Sequence, residues 1–159
     1  MKHISTTLAE AELAAREQCG YTGEEQGGFI IQAEDSFEFV KVSNMNTGDP
    51  IAPVLYTADP NEFGALVHAR RFETPSWRLY ASFHTHPGCS TTPSSTDLRK
   101  LFCNFQRHYI YAPLGKRMTL YTLHQEVEAR RLDSPRYPAF THGSQLHNQC
   151  WVGETFKYA

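Results

Sequence analysis

No stretch of the 159-residue sequence approaches the run of about 20 apolar residues that a membrane-spanning helix needs. Residues 1–5 (MKHIS) also lack the apolar core of a secretory signal peptide. Hydrophobic residues nevertheless make up 40% of the sequence, which is enough to bury a core. We therefore expect one domain spanning residues 1–159, a cytoplasmic location and no membrane partner.

The sequence also lacks an excess of either charge. Its 15 basic and 17 acidic side chains give a formal net charge of -2, and no long block carries one sign. Proteins that bind a nucleic-acid backbone usually present a basic patch or stripe. The balance of charge therefore predicts that nucleic acid is not a partner.

Cysteine is scarce, and no two cysteines form a CxxC pair. The four residues, Cys19, Cys89, Cys103 and Cys150, are too few and too widely spaced to cross-link a chain of this length. We expect reduced thiols. Cys89 lies near the motif described below, so a cysteine nucleophile is an alternative, but no separate base accompanies it.

The spacing of apolar residues predicts a mixture of helices and strands, an α/β (α+β) fold. Helical spacing occurs over residues 6–18, 60–71 and 97–106, with Ser5 or Thr6 as the cap of the first helix. Apolar runs and alternation predict strands at residues 27–32, 36–43, 54–57, 77–83, 108–111 and 117–124. Residues from 134 onward show no clear period, and we expect them to pack on the same domain.

Two histidines and an aspartate have the spacing of metal ligands. His84 and His86 follow a predicted strand, where alternate residues point to one side, so both imidazoles can approach one ion. Asp97 falls in the first turn of the next predicted helix, with Ser94 or Ser95 as its cap. Two imidazoles and one carboxylate leave one tetrahedral position open, as in catalytic zinc sites. The sequence therefore predicts one Zn²⁺ per chain.

A hydrolytic zinc site also needs a carboxylate. Zinc lowers the pKa of bound water toward about 7, and a neighbouring carboxylate takes the proton and later passes it to the leaving amine. Glu24 and Glu25 precede the first predicted strand, from which a glutamate can reach the metal edge of its neighbour. Ser94 is a candidate donor to the oxyanion that develops on the substrate.

The metal-ligand pattern resembles that of the JAB/MPN (JAMM) zinc metalloproteases, and in particular the stand-alone bacterial type. That family has His-Ser/Thr-His-Pro, then a serine seven residues after the proline, then an aspartate three residues later. Residues 84–87 (HTHP), Ser94 and Asp97 match this pattern at every spacing. The resemblance therefore implies that His84, His86 and Asp97 bind the zinc.

The family's upstream glutamate usually stands in a Glu-x-Cys-Gly-apolar segment at the start of a strand. Residues 25–29 (EQGGF) resemble that segment, which selects Glu25 over Glu24 as the base. Gly27 departs from the pattern, because it stands where the family usually has cysteine.

The resemblance also implies a fold and an activity. The fold is a curved, mixed β-sheet flanked by helices, similar to the cytidine-deaminase layout. The activity is hydrolysis of an amide or isopeptide bond in a protein or peptide substrate, commonly one that joins a ubiquitin-like tail to an amine. The oligomeric state is not predicted.

Three other functions are alternatives to this activity. The chain can be a phage-tail or secreted-effector peptidase that acts on another peptide bond. It can also be a non-catalytic scaffold that binds proteins, although such scaffolds typically lose the metal ligands that this sequence keeps. A zinc deaminase would pair a His-x-Glu with a Pro-Cys-x-x-Cys motif, and the sequence does not contain this pair.

Overall fold

The computed structural model describes residues 6–20, 24–44, 56, 58–73, 76–94, 97, 107–123, 141–144 and 149–157. Two α-helices lie within these residues, α1 (Leu8–Gln18) and α2 (Pro60–Glu73). Seven strands accompany them: β1 (Gly27–Ala33), β2 (Ser36–Val42), β3 (Trp77–Thr85), β4 (Arg107–Ala112), β5 (Arg117–Leu123), β6 (Thr141–Ser144) and β7 (Gln149–Lys157). Neither helix in the described part of the chain is long and apolar enough to cross a membrane.

The seven strands form one mixed sheet in the order β2-β1-β3-β4-β5-β7-β6. Neighbouring strands are antiparallel except β3 and β4, which are parallel. Because parallel neighbours need a crossover connection, the chain returns along the sheet between Thr85 and Arg107. That crossover carries His86, Ser94 and Asp97. The mixed sheet with its flanking helices confirms the fold class predicted from the sequence.

Helix α1 packs small residues against one face of the sheet. The buried cluster contains Ala11, Ala15 and Cys19 from the helix segment, and Ile30, Phe39, Ala81, Phe83, Tyr109, Met118 and Leu120 from the strands. The cap of α1 is Thr7, whose hydroxyl accepts from the Glu10 N–H while the Glu10 carboxylate accepts from the Thr7 N–H. The prediction of Ser5 or Thr6 as the cap is wrong, because only Thr7 has a glutamate three residues later to close this box.

The opposite face of the sheet carries the histidine of β3. Phe29 of β1 contacts Phe63 of α2 on this side, with ring centroids 4.8 Å apart. Side chains alternate along a strand, so His84 faces away from the α1 core that holds its neighbour Phe83. His84 is completely buried there.

Two predicted segments differ from the structure or lie outside it, and two strands of the structure were not predicted. Within the strand predicted at 54–57, Tyr56 is the one described residue and is irregular, while Ala58 forms an isolated bridge with Asn44. Of the helix predicted at 97–106, Asp97 alone is described, and it is helical. The sequence did not predict β6 and β7. In β7, buried Glu154 interrupts the apolar pattern.

Candidate metal centre

The pairing of β1 with β3 brings the upstream glutamate to the histidines. Gly27 lies opposite His84 in this antiparallel register. One step beyond the pair, the Thr85 N–H donates to the Gln26 carbonyl at 2.8 Å, and the Gln26 N–H donates to Thr85 Oγ1 at 2.9 Å. Glu25, the residue before Gln26, is 7% exposed. Sheet register therefore determines that Glu25 and His84 share one buried site.

Three of the sequence-predicted side chains converge on one point. His84 Nε2 lies 3.2 Å from His86 Nε2 and 3.2 Å from Asp97 Oδ1, and His86 Nε2 lies 3.2 Å from Asp97 Oδ2. Zinc bonds of about 2.0–2.1 Å in a tetrahedron place ligand atoms roughly 3.3 Å apart. The separations of the three donor groups therefore fit a single Zn²⁺ ion.

Glu25 completes the group. One of its carboxylate oxygens and one nitrogen each from His84 and His86 lie within 4.8 Å of one another, a set that could hold a metal ion. Glu24, the alternative base, is partly exposed and is not part of this set. The structure thus brings Glu25 together with the predicted ligands and leaves Glu24 outside.

Asp97 is fixed by reciprocal hydrogen bonds with Ser94. The Ser94 N–H donates to Asp97 Oδ2 at 2.9 Å, and the Asp97 N–H donates to Ser94 Oγ at 3.1 Å. Burial opposes ionisation of the carboxyl, but His84, His86 and the Ser94 N–H together hold the pKa of Asp97 well below its usual range. Ser94 is therefore a helix cap that also orients Asp97, and its hydroxyl hydrogen is not used in the bond that it accepts.

A backbone carbonyl orients His86. His86 Nδ1 lies 3.2 Å from the Ser90 carbonyl oxygen, which can only accept, so Nδ1 carries a hydrogen, while Nε2 faces His84 Nε2 and Asp97 Oδ2. Burial alone favours the neutral ring, but hydrogen bonding and charge from Asp97 raise the pKa of His86. This contact is the common second-sphere arrangement of metal-binding histidines.

Tyr56 and Asn44 position Glu25, and the sequence did not indicate either. The Tyr56 N–H donates to Glu25 Oε1 at 2.9 Å, and Asn44 Nδ2 donates to the Glu25 carbonyl at 3.0 Å. Burial raises the pKa of Glu25, although nearby His84 and the Tyr56 N–H oppose the rise. A carboxyl group with a raised pKa is suited to both accepting and releasing a proton near neutral pH.

The ring of Tyr56 also explains the glycine at position 27. It stacks on His84 with an interplanar angle of 9° and a centroid separation of 6.2 Å. A Cβ at Gly27 would lie 2.8 Å from the Tyr56 ring and 2.3 Å from the Phe83 carbonyl oxygen. The tyrosine therefore lies against the Cα of residue 27 and leaves no room for a side chain there.

The remaining candidate, Cys89, is an exposed free thiol. It lies in the crossover loop, close to Gly115. A Cβ on that glycine would be 3.1 Å from the Cys89 carbonyl oxygen. Within the described residues, no hydrogen bond links Cys89 to a group that could activate its thiol. The structure offers no support for a cysteine nucleophile.

The fold and the buried group together define an α+β protein with a candidate metal centre at one end of its mixed sheet. The chain belongs to the prokaryotic homologs of the JAB domain, whose family model matches residues 7–127. This confirms the resemblance drawn from the HTHP, serine and aspartate pattern.

A solved structure is similar to this chain. It is the solution structure of a protein from Desulfitobacterium hafniense, which is 21% identical and has a TM-score of 0.53. The match covers 73% of this chain and 82% of that one. At this identity the likeness shows the fold alone. No curated protein matches the sequence.

Proposed function

We propose that this chain is a zinc-dependent peptidase or isopeptidase in which His84, His86 and Asp97 hold one Zn²⁺ and Glu25 acts as general base. The observation that carries the proposal is the set of 3.2 Å separations among the three donor groups, with the Glu25 carboxylate beside both imidazoles. Membership of the JAB family supports it.

The chemistry follows from the side chains around that point. A bound zinc ion supplies a Lewis acid for the substrate carbonyl and makes its bound water more acidic. Glu25 accepts the proton of the attacking water and delivers it to the leaving nitrogen as the C–N bond breaks. Ser94 directs Asp97 and can use its remaining hydroxyl hydrogen to stabilise the oxyanion. Water thus adds across the amide, giving a carboxylate and an amine.

The proposed substrate is a protein or peptide, including a conjugate in which a ubiquitin-like or other protein tag is joined to an amine. The crossover loop flanks the metal centre and presents Cys89 to solvent, while the Thr91 hydroxyl is bonded to Thr119 of the sheet. We therefore propose that the substrate passes near the backbone of this loop and Cys89 in the cytoplasm.

A non-catalytic scaffold is the competing proposal, because membership of the family does not by itself require activity. The retained donor set favours the enzyme. Loss of one ligand side chain would suffice to abolish the site, so a scaffold under no demand for metal has no physical need of all three.

The test is a comparison of the zinc-loaded wild type with Glu25→Gln in a bacterial lysate, scored by mass spectrometry of newly formed carboxyl and amino groups. We expect cleavage products with the wild type, their loss after chelation, and their return when zinc is restored. Glu25→Gln keeps the shape of the site and should bind zinc without cleaving, whereas Glu24→Gln should cleave normally. Absence of zinc-dependent products with the wild type would support the scaffold, whereas equal cleavage by wild type and Glu25→Gln would remove Glu25 from the mechanism.

A further inference from the structure

The loop between His86 and Asp97 is bonded to strand β5 at one residue. Thr91 Oγ1 lies 2.6 Å from Thr119 Oγ1, and the Tyr121 hydroxyl donates to the Thr91 carbonyl at 2.7 Å. Thr119 Oγ1 is in turn 2.8 Å from Thr155 Oγ1 on β7. We call the contacts of Thr91 with Thr119 and Tyr121 the Thr91 anchor.

The anchor is adjacent to the group that orients a predicted ligand. Ser90, whose carbonyl accepts from His86 Nδ1, directly precedes Thr91. On the other side, the Thr92 N–H donates to Ser90 Oγ at 3.1 Å and closes a tight turn around the same residue. The Ser90 carbonyl belongs to the peptide unit that joins Ser90 to Thr91. The turn holds this unit at Ser90 and the anchor holds it at Thr91, so the position of the carbonyl depends on the anchor.

We propose that Thr119 and Tyr121 are positioning residues for the metal centre, acting through Thr91 and the Ser90 carbonyl on His86. The proposal rests on the metal-binding role of His86 given above. By holding the carbonyl against Nδ1, the anchor fixes the orientation of the His86 ring, with Nε2 directed at His84 and Asp97. Without the anchor the loop can move away, and the ring loses the acceptor that orients it for the metal.

Two features make the anchor suited to this role. Tyr121 and Thr119 are 3% and 2% exposed, so the sheet side of both bonds is shielded from bulk water. Burial also raises the pKa of Tyr121 to about 12, which keeps its hydroxyl protonated and able to donate at neutral pH. Groups that orient a metal-bound histidine typically change metal affinity by about 10–100-fold when removed.

The experiment compares Thr91→Val and Tyr121→Phe with the control Thr155→Val. The first two remove one anchor bond each with little change in shape. The control removes the other hydrogen bond of the Thr119 hydroxyl and leaves both anchor bonds in place. Zinc affinity, measured by competition with a chromophoric chelator, should fall about 10-fold or more in the first two variants and stay near wild type in the control.

A second readout does not depend on zinc. In zinc-free protein, NMR detects the His86 Nδ1–H through its nitrogen, and hydrogen bonding to the Ser90 carbonyl should slow its exchange with solvent in the wild type and in Thr155→Val. The exchange should be faster in Thr91→Val and Tyr121→Phe. Thermal unfolding of each zinc-free variant identifies any that fails to fold, and either anchor variant alone is sufficient for the test.

The possible results separate this proposal from the proposed function. Unchanged zinc affinity and unchanged exchange of the His86 Nδ1–H in a folded anchor variant would overturn the positioning role. A higher KM for substrate with both readouts unchanged would also overturn it, because it would make Thr91 a substrate contact. If the wild type binds no zinc, the proposed function fails, yet the exchange comparison still decides whether the anchor orients His86.

Discussion

Gly27 and His84 lie opposite each other in the antiparallel pairing of β1 and β3, with the ring of Tyr56 lying against both. The pairing places the residue two positions before the glycine, Glu25, beside the imidazoles. The absence of a side chain at position 27 allows the tyrosine to approach, and its backbone N–H then bonds the glutamate. One glycine thus links sheet register to the position of the proposed base.

The first prediction concerns this glycine. Gly27→Ala should lower the free energy of unfolding by about 1–3 kcal/mol, because the new Cβ would collide with the Phe83 carbonyl and the Tyr56 ring. It should also lower activity by displacing Tyr56 from Glu25. Urea denaturation and the rate of substrate cleavage measure the two effects.

Gly64→Ala is the matched control, since a Cβ there meets nothing within 4 Å and alanine favours its helix. Equal stability of the two variants would refute the steric explanation.

The second prediction separates two roles of Ser94. Ser94→Ala removes the acceptor for the Asp97 N–H and should destabilise the protein by about 1 kcal/mol, as loss of a helix cap typically does. If the hydroxyl also stabilises the oxyanion, kcat at saturating zinc should fall about 10²–10³-fold. Ser94→Thr keeps a hydroxyl and should retain most of both properties. Wild-type kcat in zinc-saturated Ser94→Ala would remove Ser94 from catalysis and leave it a positioning residue.

The third prediction concerns Cys19, which is fully buried in the α1 core. Burial raises the pKa of its thiol from 9.0 to about 11, so the thiol stays protonated at pH 8 and should resist iodoacetamide until the protein unfolds. Exposed Cys89 should be alkylated in the folded protein. Peptide mapping by mass spectrometry distinguishes the two, and rapid alkylation of Cys19 in the native state would contradict its burial.

The raised pKa of Cys19 also predicts how stability depends on pH. The unfolded chain releases this proton near pH 9, whereas the folded chain keeps it until about pH 11. The contribution is therefore present below pH 9 and is lost as the pH rises to about 11. Wild type should lose more stability than Cys19→Ala over this interval in urea titrations, and parallel curves would contradict the shift.

The local motif made the cluster of His84, His86 and Asp97 predictable from the sequence. His84 and His86 are two residues apart at the end of a strand, and Ser94 and Asp97 have helix-cap spacing, so local geometry determines where these side chains point. The same holds for the helices predicted at 6–18 and 60–71 and for the strands predicted at 27–32, 36–43, 77–83, 108–111 and 117–124, which the structure reproduces with small changes in their ends.

Contacts between distant segments were not predictable. Tyr56 is 31 residues from Glu25 and lies in irregular chain, and its essential contact uses a backbone N–H that every residue except proline has. Strand β7 was missed because its buried Glu154 breaks the alternation by which strands are recognised. The Thr91 anchor likewise depends on the pairing of strands, which a loop sequence does not encode locally.

The most direct test of the account is the zinc content of protein purified without a chelator or affinity tag, compared between wild type and His86→Ala. His68→Ala, which changes an exposed histidine of α2, is the control. The account predicts about one zinc per chain in the wild type and the control, and its loss in folded His86→Ala. A folded wild type without zinc, or one whose zinc persists in His86→Ala, would contradict the assignment of this metal centre.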